Sequence, residues 1–137
     1  YAGHMAYEKT AYYWRFVNTR STVHRFHPDY FEACLNAAEA IKGAISAAWG
    51  DNDALQTAYL RQLIGGAFSA VCNYYYKTSP MSRAERTAAV RQLCQNRALR
   101  AAITRTGISD IRADWIMRQN AAMLGLYARA ANLKHGR

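Results

Sequence analysis

From residue 30 onward, apolar side chains recur every three to four positions, the spacing of one buried face of an α-helix. Phe31, Leu35, Ala38, Ile41 (or Lys42) and Ile45 mark a first helix from Tyr30 to Trp49. Asp29 stands before it and Glu32 three positions later, the letters of a capped helix start. Gly50-Asp51-Asn52-Asp53 is a turn, with Asp51 or Asp53 placed to cap a second helix from Ala54 to Tyr76. Leu60, Leu63, Ile64, Ala67, Phe68, Val71, Cys72 and Tyr75 give that helix a wide apolar face. Gly65-Gly66 in its middle costs about 1 kcal/mol per glycine relative to alanine. The helix either bends there or is approached closely by another. Thr78-Ser79-Pro80 ends it, because proline lacks an N–H and pushes Ser79 out of the α region. Ser82 and Glu85 then form a capping box. It opens a third helix reaching about Gln95, with Val90, Leu93 and Cys94 inward. Asn96 to Arg105 continues as a short helix or a bent extension and stops at Thr106-Gly107. Ser109 or Asp110 caps a last helix reaching about Leu133, whose face carries Ile111, Trp115, Ile116, Met123, Leu126 and Tyr127.

The first 27 residues follow a different pattern. Thr10 to Val17 (TAYYWRFV) alternates aromatic and β-branched residues as a strand does. Asn18-Thr19-Arg20 is a turn, and Ser21 to Phe26 is a returning strand or an extended lead-in. A lone hairpin is marginal in water, so this piece packs on the helices or belongs to a larger sheet. Gly3-His4-Met5 reads as a cloning remnant. Three segments result: residues 1–5, an extended segment 6–27, and a helical C-terminal domain 28–137. The expected fold is mainly α, an antiparallel bundle of four to five helices preceded by a short β-strand or hairpin.

Charge divides the chain at the Pro80 turn. Residues 1–76 hold six Lys/Arg and six Asp/Glu, while residues 77–137 hold twelve and three, so the whole net charge of +9 lies past the turn. Cys34, Cys72 and Cys94 have no metal-ligand spacing and read as reduced, buried thiols of a cytosolic protein. No apolar run is long enough to span a membrane. Asp51-Asn52-Asp53 has the letters of a metal motif but sits in a turn, where it reads as cap chemistry. There is no Ser/His/Asp order, no paired carboxylates and no phosphate loop to suggest a stand-alone enzyme.

Two stretches carry a resemblance. One is Tyr12-Tyr13-Trp14-Arg15 followed by Asn18, Ser21 and Thr22. The other is Tyr74-Tyr75-Tyr76 with Ser79-Pro80-Met81-Ser82-Arg83-Ala84-Glu85-Arg86 and its helical tail. Together they resemble the C-terminal end of bacterial family 2 glycosyltransferases, the GT-A enzymes that build capsular, exopolysaccharide and lipopolysaccharide chains. The resemblance implies a partner outside this chain: an N-terminal catalytic domain using a divalent metal with a sugar nucleotide. It implies no cofactor, metal ligand or catalytic residue within the chain, which alone should be inactive. It sets Arg15, Ser21, Thr22, His24 and Arg25 near the edge of the parent's cleft, with Arg15 or Arg25 to hold a diphosphate. The alternative for these five is an exposed polar hairpin face.

Arg83, Arg86, Arg91, Arg97, Arg100, Arg105, Arg112, Arg118 and Arg129 form a second feature, the first five being the expected membrane or anion contacts, and Arg83, Arg86 and Arg97 share a face if the third helix continues. A basic helix beside an apolar face suits an anionic membrane surface, and the resemblance implies a lipid-linked saccharide acceptor at the cytoplasmic side of the inner membrane. The alternative is solvated faces that aid solubility. A competing reading, resting on the charge and a pI of about 9.8, is a small helical nucleic-acid-binding module. Against it, the arginines spread over two helices and no helix-turn-helix stands out, so nucleic acid is the less expected partner.

Overall fold

The computed structural model describes residues 25–50 and 52–134. Of these, 79% are helical and none lies in a strand. The helices are α1 (Tyr30–Trp49), α2 (Asp53–Tyr74), α3 (Arg83–Gln95), α4 (Arg97–Thr106), α5 (Ile111–Met117) and α6 (Ala121–Lys134). Of the expected β segment, residues 10–24 lie outside the described residues, while Arg25 and Phe26 are described and form no strand.

Helix α2 is the axis of the fold, touching α1, α3, α4 and α6. Its sequence explains why. Leu60, Leu63, Ile64, Ala67 and Phe68 bury one stripe with Ser69 exposed beside it, but from Ala70 onward Val71, Cys72, Asn73 and Tyr74 are all buried. A helix apolar all round is one wrapped by others. Helices α1 and α2 run antiparallel: Cys34 lies against Gly66 while Lys42 reaches the Tyr59 ring at 6.0 Å. The two mid-helix glycines have different reasons. A Cβ at Gly66 would stand 3.0 Å from Cys34 Sγ and 3.1 Å from Cys34 Cβ, so α1 needs glycine there. A Cβ at Gly65 would meet nothing within 4 Å. Burying Leu63 and Ile64 contributes about 1.5–3 kcal/mol each, enough to offset both glycines.

Local signals set most boundaries. Ser82 Oγ accepts the Glu85 N–H at 3.2 Å, and Glu85 Oε2 accepts the Ser82 N–H at 2.6 Å, completing the capping box. Those bonds hold the Glu85 carboxyl below its ordinary pKa. Asn96 ends α3 and starts α4, its side chain accepting the Leu99 N–H at 3.0 Å. Gly107, at φ +56°, closes α4 in the left-handed conformation, its N–H donating to Ile103 O.

Several expectations need correction. Asn52, not Asp51 or Asp53, caps α2, accepting the N–H groups of Ala54 and Leu55. Asp53 instead lies 3.6 Å from Arg105 in an exposed pair. Asp29 precedes α1 but makes no side-chain cap, because its backbone (φ −97°, ψ 25°) is not the extended form a capping side chain needs. Trp49, which ends α1, is 62% exposed. The last helix is two. Gln119 takes φ +54°, the Asn120 N–H donates to Trp115 O at 2.8 Å, and the Asn120 side chain accepts from the Met123 N–H. This break shifts the phase of everything after it. Leu124, Gly125, Ala128 and Asn132 turn inward, while Met123 and Leu126 face solvent. Ile111, at the start of α5, is also exposed.

The core draws Val90, Leu93 and Cys94 from α3, Leu99, Ala102 and Ile103 from α4, and Ala113 and Ile116 from α5. Burial pushes the Cys94 thiol up to about 11. None of the three cysteines forms a disulfide, and Cys34 is only half-buried. Two buried amides tie the layers together. Asn73 accepts the His27 N–H at 3.0 Å and donates to His27 O at 2.8 Å. Asn132 donates to Cys72 O at 2.9 Å, satisfying a carbonyl in the last turn of α2.

Candidate anion-binding site

The excess charge past Pro80 consists almost wholly of arginines, and the fold sorts them by what their donors reach. Arg112 is fully engaged. Its Nε and Nη2 grip both oxygens of Asp110 at 2.6–3.2 Å, and its Nη1 donates to Tyr127 Oη at 2.8 Å. Its guanidinium lies 4.1 Å from the centre of the Phe68 ring. The Arg112 bonds hold the Asp110 carboxyl below its ordinary value, and Asp110 raises the Arg112 guanidinium further. Asp110 also caps α5, accepting the Arg112 N–H at 2.8 Å.

Two of the predicted anion-contact residues belong to this structural group. Arg100 Nη1 donates to Cys94 O and Met117 O, closing the ends of α3 and α5. Arg86 Nη2 donates to Ser79 O at 3.3 Å, and its guanidinium lies over Tyr75. Arg97 opens α4 past the Asn96 break, so the shared face of Arg83, Arg86 and Arg97 does not form.

Arg83 and Arg91 have a different fate. With the half-buried Thr87 they stand at i, i+4 and i+8 along α3, one stripe with both arginines exposed. That stripe forms one wall of a groove of about 560 Å³ between α3 and α6. Ala121, Ala122, Gly125 and Leu126 form the other wall, with Arg129 at one end and Gln119 and Asn120 also on the lining. The small residues let the helices lie close. A Cβ at Gly125 would stand 2.6 Å from Tyr75 Oη, so glycine is what lets Tyr75 reach over α6. Arg129 in turn lies 5.4 Å from the Tyr75 ring centre.

The groove thus gathers three arginines, two amides and the hydroxyls of Thr87 and Tyr75, and none of its lining residues is acidic. Among the described residues the two ion pairs are Arg105–Asp53 and Arg112–Asp110, and neither touches it. A second groove of about 480 Å³, reached by the other side of α3, is lined by Asp29 and Glu32 and by no cation. The helix keeps the two signs apart. Guanidinium groups gathered without carboxylates suit a multiply charged oxyanion, which accepts several charge-assisted hydrogen bonds at once.

Of the sequence-predicted binding residues, Arg15, Ser21, Thr22 and His24 lie outside the described residues. Arg25 is exposed and does not line the groove. Of the arginines the sequence singles out, the structure brings together Arg83, Arg91 and Arg129, and it adds Thr87, Gln119 and Asn120, which the sequence had not put with them. No protein-family model matches the chain, and neither the curated proteins nor the solved structures contain a significant match.

Proposed function

We propose that the chain is the helical C-terminal region of a bacterial family 2 glycosyltransferase, and that its α3/α6 groove holds the phosphate of an anionic, lipid-linked acceptor. The observation that supports this most is the carboxylate-free groove in which Arg83 and Arg91 on α3 meet Arg129 on α6. The letters of Tyr12 to Thr22 and of Tyr74 to Arg86 supply the family. The groove supplies a task for a helical appendage: to hold the charged end of an acceptor while a separate catalytic domain transfers sugar to it.

Two measurements test the two halves separately. Titration with inorganic pyrophosphate, followed by calorimetry, should give saturable binding that weakens with salt. The triple substitution Arg83→Ala, Arg91→Ala and Arg129→Ala should weaken it at least tenfold. Unchanged binding in that variant rejects the groove. The encoding reading frame should continue upstream of Ala6 into a Rossmann-like region with an Asp-x-Asp motif after a strand, and a frame without one rejects the family. Tighter binding of an oligonucleotide than of pyrophosphate would favour the nucleic-acid reading instead.

A further inference from the structure

Helix α6 (AAMLGLYARAANLK) contains no acidic residue and is apolar on two sides. Its inner side is accounted for: Ala121, Leu124, Gly125, Ala128 and Asn132 are buried against the rest of the fold. Its outer side is not. Ala122, Met123, Leu126, Ala130 and Leu133 are exposed, with Leu126 at 56% and Leu133 at 76%. At about 100° per residue these five fall within one arc of roughly 100°. A helix on the surface of a water-soluble bundle normally carries charge there, and a contiguous apolar patch marks a contact surface. The charges are on its flanks, and all are positive: Arg129 toward α3, Lys134 at the end, and Arg83 and Arg91 across the groove.

We propose that this outer face of α6 lies in the headgroup layer of an anionic bilayer, with Met123, Leu126 and Leu133 among the acyl chains and the flanking cations at the lipid phosphates. No described helix is long and apolar enough to cross a membrane, and 14 residues of helix reach only about 21 Å, so α6 lies in the plane. Charge complementarity selects this occupant. A second copy of the chain would bring Arg129 and its neighbours against each other with no acid on either α6. An anionic lipid surface meets the apolar stripe and its positive flanks together. The inference goes beyond the groove reading and sets the groove mouth at headgroup level, where the phosphate of a lipid-linked acceptor would stand.

The test uses the 137-residue chain and two exposed residues that do not line the groove, Met123 and Leu133. The wild type should sediment with phosphatidylcholine vesicles containing phosphatidylglycerol and not with phosphatidylcholine alone. The double substitution Met123→Gln and Leu133→Gln should lower that partition more than tenfold while leaving pyrophosphate binding within twofold. The proposal is overturned by a wild type that ignores phosphatidylglycerol, or by a double variant that sediments like the wild type. It is equally overturned by a dimeric wild type that the same substitutions make monomeric. Vesicle binding lost in the double variant of a protein that never bound pyrophosphate keeps the α6 face and rejects the groove.

Discussion

Arg112 and Arg129 belong to the same half of the chain, yet they have opposite fates. Arg112 sits at the start of α5, where Asp110, Tyr127 and Phe68 take both ends of its guanidinium and its flat face. Arg129 sits on α6 beside an aromatic ring and, with Arg83 and Arg91, faces an open groove whose lining has no carboxylate. In one place the positive charge is consumed by the fold. In the other the fold gathers charge and leaves it facing outward. A bare count of arginines past Pro80 cannot separate the two, although their chemistry is the same.

The comparison can be broken most directly at Arg112. Replacing it with alanine should cost about 2–3 kcal/mol in urea unfolding, from lost charge-assisted bonds and stacking. Lysine should recover little, since an ammonium cannot grip both Asp110 oxygens and reach Tyr127 together. The Arg83, Arg91 and Arg129 triple variant should instead unfold within about 0.5 kcal/mol of wild type per site. A large loss there would place the groove arginines among the structural ones.

Gly125 offers a finer probe, because it sets the Tyr75 ring on which Arg129 rests. Gly125→Ala should lose about 1–2 kcal/mol despite alanine's better helix propensity, since Tyr75 must move. Adding Tyr75→Phe removes the closest atom and should recover part of the loss. A stabilised single variant would mean that Tyr75 swings away freely and that the groove is not held by that contact.

The smallest effect lies in pH. The folded Asp110 carboxyl is held below its ordinary value of 3.8 by Arg112, so its contribution is complete above that value. It is lost as pH falls through the lowered folded value. The stability gap between wild type and Arg112→Ala should therefore narrow in acid, and a gap constant to low pH would assign the Arg112 effect to Phe68 and Tyr127 and not to Asp110.

What the sequence reveals here depends on whether a boundary is made locally. Ser82 and Glu85 carry their own hydrogen-bonding partners, and Pro80 and Gly107 act through their own backbone, so α3 and α4 are readable residue by residue. The break after α5 has no such letters. Gln119 adopts a positive φ that nothing about glutamine announces, and missing it turned the apolar face of α6 around. The groove is half legible for the same reason. Arg83, Arg91 and Arg129 all stand among the arginines the sequence singles out, but its shared face was Arg83, Arg86 and Arg97, and Arg129 comes beside Arg83 and Arg91 only because α6 packs beside α3 with Gly125 beneath Tyr75. Arg86 and Arg100 looked like surface cations because the carbonyls they bind, on Ser79, Cys94 and Met117, come from chain ends that meet only after folding.

Asn73 grips residue 27 as a neighbouring strand would, one bond in each direction, from inside the last turns of α2. The chain arriving at Arg25 is thereby fastened to the axis of the bundle before it ever reaches α1. Tension applied there loads the helix that all the others lean on, and torque applied there turns the whole unit. The amide, with the Thr78 hydroxyl that accepts the Phe26 N–H at 3.1 Å, holds residues 26 and 27 to the end of α2, so a pull on Arg25 is borne by α2 before it reaches α1.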